Sequence, residues 1–330
     1  MMAHIMRISV FPKGELDAII SRDLTVFDWI EMAKPLAAEG LELHSSMFWE
    51  TTDTFVDTLA EAIADAGKEM PMLCVSPDFT NPDAAVRRAE RDREAELIRA
   101  AHRTSGPGVA VRVLSGQAHP GVSREQGLQW AADSIRHLLP LAAELDVTLS
   151  LENHYKDGAW AYPEFAQKAD VYLDLLDRVG DDPHFGVQYD PSNAIVAGDD
   201  SADFLDRVVD RVVTMQASDR SLAAGSTLDD LRQSDGTLGY SPALRHGVIG
   251  RGLNDYPRIF RTLAAAGYDG WISIEDGVNG MQEVRQSVEF LREARDLYFD
   301  GSTAVRVESL ERRRAAAGLP SLARPALGTS

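Results

Sequence analysis

Short apolar, β-branched runs alternate along the chain with longer amphipathic stretches. Eight runs have the length and composition of buried parallel strands: Arg7–Val10, Leu41–His44, Met72–Ser76, Val109–Leu114, Thr148–Glu152, Phe185–Asp190, Val212–Gln216 and Trp271–Glu275. A helical pattern follows each of them: Phe27–Glu39, Thr54–Ala66, Asp83–His102, Ser123–Leu145, Pro163–Val179, Ser201–Arg211, Tyr256–Ala266 and Met281–Tyr298. Eight such units in strict alternation predict an α/β fold, a single (β/α)8 TIM barrel, rather than an open sheet.

Two segments depart from this repeat. The connection from Arg220 to Asn254, between strand 7 and helix 7, is rich in turn residues and far longer than an ordinary βα loop. Loops of that length are usually lids or binding loops, so we expect this one to cover the mouth of the barrel or to meet another subunit. The second segment is a C-terminal tail over residues 301–330, in which Ser309–Ala317 has a helical pattern. The tail follows a catalytic barrel domain over residues 1–300.

The 330 residues carry a formal net charge of −19, from 52 acidic and 33 basic residues. Such a surface repels phosphate backbones and anionic lipids, which argues against nucleic-acid and membrane partners. A single cysteine, Cys74, excludes an intrachain disulfide and is expected to be a buried apolar filler. Because no secretory signal and no 18-residue apolar stretch are visible, a cytoplasmic location is expected.

The candidate chemistry lies at the ends of the last four predicted strands. In a barrel of this kind the carboxyl ends of the strands form the rim that carries the active site. Polar residues stand at or just beyond these ends: Glu152, His154, Asp190, Asn193, Gln216, Arg220 and Glu275. Three carboxylates converging on one rim repel one another, and a divalent cation is the simplest relief. Their oxygens favour Mn²⁺ or Mg²⁺ over zinc; the alternative is that each carboxylate caps a helix or pairs with an arginine.

Several motifs resemble those of a known family. The runs LSLENH, GVQYDPSN, VTMQASD and GWISIEDG are similar to the last four strands of the xylose isomerase-like barrel superfamily, which includes ketose 3-epimerases, hydroxypyruvate isomerases and inosose dehydratases. The α-subunits of C-glycoside deglycosidases resemble the same barrel. The resemblance spans roughly Arg7 to Tyr298. It implies that Glu152, Asp190, Gln216 and Glu275 are the metal ligands, with Glu152 and Glu275 doubling as catalytic bases.

Two positions depart from the family pattern. The family usually has histidine where Gln216 stands, and the 3-epimerases tend to have a substrate-binding histidine at the position of Asn193. A glutamine carbonyl can bind Mn²⁺ or Mg²⁺ but is a poor ligand for zinc. Both differences argue against an ordinary ketose 3-epimerase.

The remaining candidates are polar residues near strand ends: histidines, one arginine and one asparagine. His154 lies two residues beyond Glu152, so strand alternation can point both side chains the same way, and we take it as a catalytic acid or base. A structural histidine that donates to a backbone carbonyl is the alternative. For substrate binding the candidates are His44, His119, Asn193, Arg220 and His246.

Two kinds of reaction are compatible with this site. One is isomerisation or epimerisation of a keto-sugar or cyclitol through a metal-stabilised enediolate. The other reaches the same enolate and then expels a leaving group, as in an inosose-type dehydratase or the α-subunit of a C-glycoside deglycosidase acting on 3-keto-glycosides. The expected partners are a small carbohydrate or glycoside and either further copies of the chain or a small second subunit. A nucleic-acid enzyme is disfavoured by the acidic charge, whereas a non-catalytic carbohydrate-binding barrel would need no metal.

Overall fold

Parallel strands form a nearly closed barrel in the computed structural model of the protein, which describes residues 6–156, 158–233 and 241–299. The strands of the barrel are β1 (Arg7–Val10), β2 (Gly40–Leu41), β3 (Leu43–His44), β4 (Met72–Cys74), β5 (Ala110–Val113), β6 (Thr148–Glu152), β7 (Phe185–Tyr189), β8 (Val212–Ala217) and β11 (Trp271–Ile274). Their order in the sheet is β2-β1-β11-β8-β7-β6-β5-β4-β3, with parallel pairing throughout. The predicted (β/α)8 barrel is confirmed.

The second predicted strand is interrupted at Glu42. Its first half, β2, pairs with β1, and its second half, β3, pairs with β4 on the other side. The two ends of the sheet are therefore consecutive pieces of one chain segment, with the buried Glu42 between them. This residue stands where the barrel closes.

The two faces of the strands differ in polarity. Ile8 and Val10 of β1 belong to the large hydrophobic core that the strands share with the helices, whereas Ser9 between them does not. Alternate residues of a strand point to opposite faces, so the serine faces the barrel interior. The same alternation gives the interior a set of buried polar residues: Ser9, Arg112, Ser150, Gln188, Thr214, Gln216 and Ser273.

Helices cover the outside of the barrel. They are α1 (Leu16–Ile20), α2 (Val26–Ala33), α3 (Asp53–Asp65), α4 (Ala84–Ser105), α5 (Arg124–Leu145), α6 (Ala169–Val179), α7 (Pro191–Ala197), α8 (Ser201–Val208), α9 (Leu228–Gln233), α10 (Tyr256–Ala265) and α11 (Met281–Ala294). The capping box of Ser123 with Gln126 begins α5. Pro163 does not begin a helix, because α6 starts at Ala169 and an irregular segment precedes it. In the described part of the chain, no helix has the length and apolarity needed to cross a bilayer.

The long connection after β8, the seventh predicted strand, contains structure of its own. Strands β9 (Arg220–Leu222) and β10 (Leu244–His246) form an antiparallel pair, and α9 lies between them in the chain. The predicted C-terminal tail, 301–330, and the central part of the connection, 234–240, lie outside the described residues.

Candidate active site

Glu152 ends β6 and is held by two partners. Its Oε2 accepts a hydrogen bond from Nη1 of Arg112 at 2.6 Å, and its Oε1 accepts one from Nδ2 of Asn193 at 2.9 Å. The Arg112 side chain is 5% exposed and that of Glu152 1%, so this ion pair is shielded from water. Removing one partner of such a pair usually costs about 3–5 kcal/mol because the other charge stays buried.

Glu275, which follows β11, is paired with a lysine from the neighbouring strand end. Lys13 follows β1, and its Nζ donates to Oε1 of Glu275 at 2.7 Å. Burial alone would raise the pKa of Glu275. The positive charges of Lys13, Arg220 and Arg112 outweigh that effect and lower the pKa to about 2.

Asp190 lies directly after β7 and begins α7 as its N-terminal cap. Its Oδ1 accepts hydrogen bonds from the Ser218 hydroxyl at 2.7 Å and from the Asn193 backbone N–H at 3.0 Å. Its Oδ2 is buried and has no hydrogen-bond partner among the described residues. Burial, together with the negative charges of Glu275 and Glu152, raises the pKa of Asp190 well above its ordinary value.

The side chain of Gln216, in β8, points toward Glu42, where the barrel closes. Its Nε2 donates to Oε1 of Glu42 at 2.5 Å, and the Cys74 thiol donates to the same oxygen at 3.1 Å. Gln216 Oε1 is buried without a hydrogen-bond partner among the described residues. Burial raises the pKa of Glu42 to about 7, although the bonds from Cys74 and Gln216 oppose the rise. Cys74 is buried as expected, but it lies against this carboxyl.

These side chains do not fit a divalent metal ion as they stand. Among the described residues, which include Glu152, Asp190 and Glu275, no group of three or more histidine, cysteine, aspartate or glutamate side chains is arranged to hold one. Lys13 and Arg112 already occupy oxygens of Glu275 and Glu152. Asp190 and Gln216 each keep one buried oxygen without a partner among the described residues, and two such oxygens are fewer than the about six ligands that Mn²⁺ or Mg²⁺ takes.

His154 lies just beyond Glu152 and contacts a second, deeper carboxylate. Its Nδ1 is 3.3 Å from Oε2 of Glu164, and its ring meets the Trp160 ring edge-on at 5.9 Å. Glu164 Oε1 accepts hydrogen bonds from the backbone N–H and the hydroxyl of Ser115. Burial lowers the pKa of His154, but the Glu152 charge and the Glu164 hydrogen bond raise it by more, so the net shift is upward.

Arg220 and His246 lie together at the base of the long connection. They are cross-strand partners in the β9–β10 pair. His246 Nδ1 is 2.6 Å from Oδ1 of Asp276, whose other oxygen accepts the Asp219 backbone N–H at 2.5 Å. Burial, and then the positive charges of Arg220 and Lys13, lower the pKa of His246 to about 3. The β9–β10 pair therefore lies against the rim.

Of the other predicted substrate-binding residues, Asn193 contacts the carboxylates of the site, whereas His119 and His44 contact residues of other strand-end segments. Asn193 supports Glu152 and Asp190. His119, which follows β5, pairs at 2.7 Å with Asp78, which follows β4. His44 ends β3, and its Nδ1 lies 2.8 Å from the hydroxyl of Ser46 just beyond it. Their roles in binding stay predictions.

Sequence reasoning missed four residues that shape the site. Lys13, Arg112, Glu42 and Glu164 supply the charges that pair with, or lie behind, the predicted residues. Arg112 and Glu42 had a readable signal, because each is a charged residue inside an apolar strand run. Lys13 and Glu164 lie in loops and had no such signal.

Buried carboxylates at the carboxyl ends of the strands are typical of (β/α)8-barrel enzymes. Residues 27–294 match the family described as "Xylose isomerase-like TIM barrel", and the chain belongs to that family. Membership confirms the resemblance deduced from the strand-end motifs.

One curated relative is similar to part of the chain. It is an inosose dehydratase of Geobacillus thermodenitrificans, 24% identical over 146 residues, which are 43% of this chain and 45% of the relative. The chain thus matches less than half the length of that protein.

Solved structures share the fold over most of the chain. A D-tagatose 3-epimerase-like protein has a TM-score of 0.69 at 15% identity, covering 89% of this chain and 98% of its own. The IOLI protein, solved with a bound zinc atom, has a TM-score of 0.68 at 12% identity, covering 89% and 99%. A xylose isomerase domain protein from Planctomyces limnophilus has a TM-score of 0.66 at 18% identity, covering 89% and 98%. At these identities the likeness shows the fold.

Proposed function

We propose that the protein is a sugar isomerase or epimerase that acts on a keto-sugar or a cyclitol. One observation carries the proposal: two buried carboxylates, Glu152 and Glu275, lie at strand ends of the same rim, and each is paired with a cation. Fixed carboxylates of this kind can remove a proton from a carbon beside a carbonyl and return one. Membership of a family with sugar epimerases and isomerases among its structural relatives supports the same conclusion.

The proposed step uses the chain's own groups. A carboxylate removes the proton from the carbon next to the carbonyl, and the electron pair moves onto the carbonyl oxygen to give an enediolate. Lys13 and Arg112, which pair with the two carboxylates, supply positive charge near the developing oxyanion. Return of a proton to the opposite face gives the epimer, and its return to the neighbouring carbon gives the isomer. The Mn²⁺ or Mg²⁺ ion expected from the sequence takes no part in this step, because Lys13 and Arg112 hold two of its four expected ligands.

A second candidate, a lyase, follows from the curated relative. That relative is named an inosose dehydratase, and a dehydratase reaches the same enolate before losing a hydroxyl group. In this chain His154, with its raised pKa, would protonate the leaving oxygen. The α-subunit of a C-glycoside deglycosidase would cleave a 3-keto-glycoside through the same enolate. The small second subunit that such an enzyme uses stays a prediction for this chain, as does self-association.

Deuterium exchange separates these functions. Keto-sugars, inososes and 3-keto-glycosides are incubated with the purified chain in D₂O and followed by NMR. Deuterium incorporation without elimination supports the isomerase or epimerase, whereas loss of water or of the aglycone supports the lyase. Glu152→Gln and Glu275→Gln should each abolish the exchange, and the exposed Glu125→Gln is the matched control. Binding of these compounds without exchange in any of them would contradict both enzyme proposals.

A further inference from the structure

Two cationic side chains of the rim, Lys13 and Arg112, pair with carboxylates that the predicted metal site would use as ligands. Lys13 is brought to Glu275 by the β1–β11 pairing, in which Val10 lies opposite Ile274. The side chains of Lys13 and Glu275 are 14% and 9% exposed, so water screens their 2.7 Å pair only weakly.

Arg112 is fixed to its position from three sides. Its Nη1 donates to Glu152 at 2.6 Å, its Nε donates to the Val75 carbonyl at 3.0 Å, and its Nη2 donates to the Ser76 hydroxyl at 2.9 Å. Val75 and Ser76 follow β4, so the guanidinium bridges three adjacent strand segments. A side chain held in this way cannot swing aside without breaking buried hydrogen bonds, each of which is costly to leave unmade.

Cationic side chains lie beside the carboxylates of the rim. Three carboxylates, Glu152, Asp190 and Glu275, interact with one another or with the same cations. Lys13, Arg112 and Arg220 supply three positive charges to them. The cations that pair with Glu152 and Glu275 therefore offset negative charge that a divalent ion would otherwise offset.

We propose that Lys13 and Arg112 take the place of the divalent metal ion of this fold, so that the rim binds and polarises an oxygen-rich carbonyl substrate through an ammonium and a guanidinium group. The identity of that substrate rests on the proposed function; the exclusion of the metal does not. Lys13 is the group that keeps the ion out, because its removal would leave Glu275, Asp190 and Gln216 with oxygens available to one cation.

Metal binding to the full chain tests the proposal without any substrate. The purified protein is first assayed for bound metal by mass spectrometry, and Mn²⁺ affinity is then measured by electron paramagnetic resonance. We expect substoichiometric metal in the wild type and weak Mn²⁺ binding. Lys13→Met should bind Mn²⁺ at least about tenfold more tightly than the wild type. The exposed Lys34→Met, which loses a surface pair with Glu31, is the control and should bind as the wild type does.

The outcomes are separable. A stoichiometric metal ion in the wild type, or Mn²⁺ affinity unchanged by Lys13→Met in a folded variant, would overturn the proposal. Should Lys13→Met fail to fold, Lys13→Gln and the metal content of the wild type still decide the question. Because no substrate is used, failure of the deuterium-exchange experiment leaves this result unchanged, and failure here leaves the exchange result unchanged.

Discussion

The side-chain amide of Gln216 donates a 2.5 Å hydrogen bond to the carboxyl of Glu42, across the interior of the barrel. The bond joins β8 to the interruption between β2 and β3, where the sheet closes. A residue expected to bind a metal is therefore tied to the closure of the fold. This placement also orients Gln216 Oε1, which is buried without a partner among the described residues.

Gln216→Ala is expected to lower the free energy of unfolding by about 1–3 kcal/mol, since it leaves a buried carboxyl with a weaker set of donors. Urea denaturation measures the loss. Gln129→Ala is the control, because Gln129 bonds only Asp133 on the exposed face of α5 among its described contacts. A double-mutant cycle with Glu42→Gln should show strong coupling, and strictly additive effects would contradict the importance of the bond.

Glu94 is a buried carboxyl in α4 that the proposed chemistry does not use. Neither of its oxygens has a hydrogen-bond partner among the described residues. Burial raises the pKa of Glu94 well above its ordinary value; the positive charge of Arg93 opposes the rise, and the negative charge of Glu90 adds to it. The folded state therefore favours the protonated form.

This raised pKa predicts the sign of a pH dependence. The protonated carboxyl stabilises the folded state in full below the unfolded-state pKa of about 4.3. This contribution to the free energy of unfolding is lost as the pH rises toward the pKa of the folded state. Glu94→Met should remove that loss, so the variant should gain about 1–3 kcal/mol over the wild type at neutral pH and less at pH 4. Thermal unfolding across this pH range measures the difference. The exposed Glu96→Met on the same helix should show no such trend; a gain independent of pH would contradict the interpretation.

Glu164 is expected to control the titration of His154. Its carboxylate lies 3.3 Å from the His154 ring and helps to raise the pKa of the imidazole. Glu164→Gln removes that negative charge, so the pKa of His154 should fall. NMR titration of the histidine ring signals gives the value, and the signal of the exposed His137 serves as the internal reference. An unchanged His154 titration would mean that Glu152 alone sets its pKa.

The strands were predictable from the sequence because a buried parallel strand needs a continuous apolar run. Thr148–Glu152 was predicted with the bounds that the structure shows. The interruption at Glu42 was not predictable, because it depends on two different neighbours pairing with the halves of one run. Helix α7 is not predictable from the pattern, because it is short and its N-cap, Asp190, falls within the predicted strand.

The candidate site was predictable only as a set of acidic groups. Strand ends identify Glu152, Asp190 and Glu275 because barrel geometry brings those ends to one rim. The partners of these residues come from distant parts of the chain: Lys13 is 262 residues away from Glu275. No periodicity encodes such a pairing, so the ion pairs of the rim appear only when the barrel is closed.

Asp219 is expected to hold the second half of the long connection against the barrel. Its carboxylate accepts hydrogen bonds from the backbone N–H groups of Gly250 at 2.8 Å, Gly252 at 2.7 Å and Asn254 at 3.2 Å. In Asp219→Asn, one of the two accepting oxygens becomes an amide nitrogen that faces N–H donors. Hydrogen exchange of these three amides should therefore speed up by about tenfold or more, matching the loss of about 1–3 kcal/mol expected for unsatisfied buried donors. Exchange in the β-strands of the barrel should not change, and the exposed Asp269→Asn is the control. Wild-type protection of these amides in a folded Asp219→Asn variant would show that other contacts hold the segment in place.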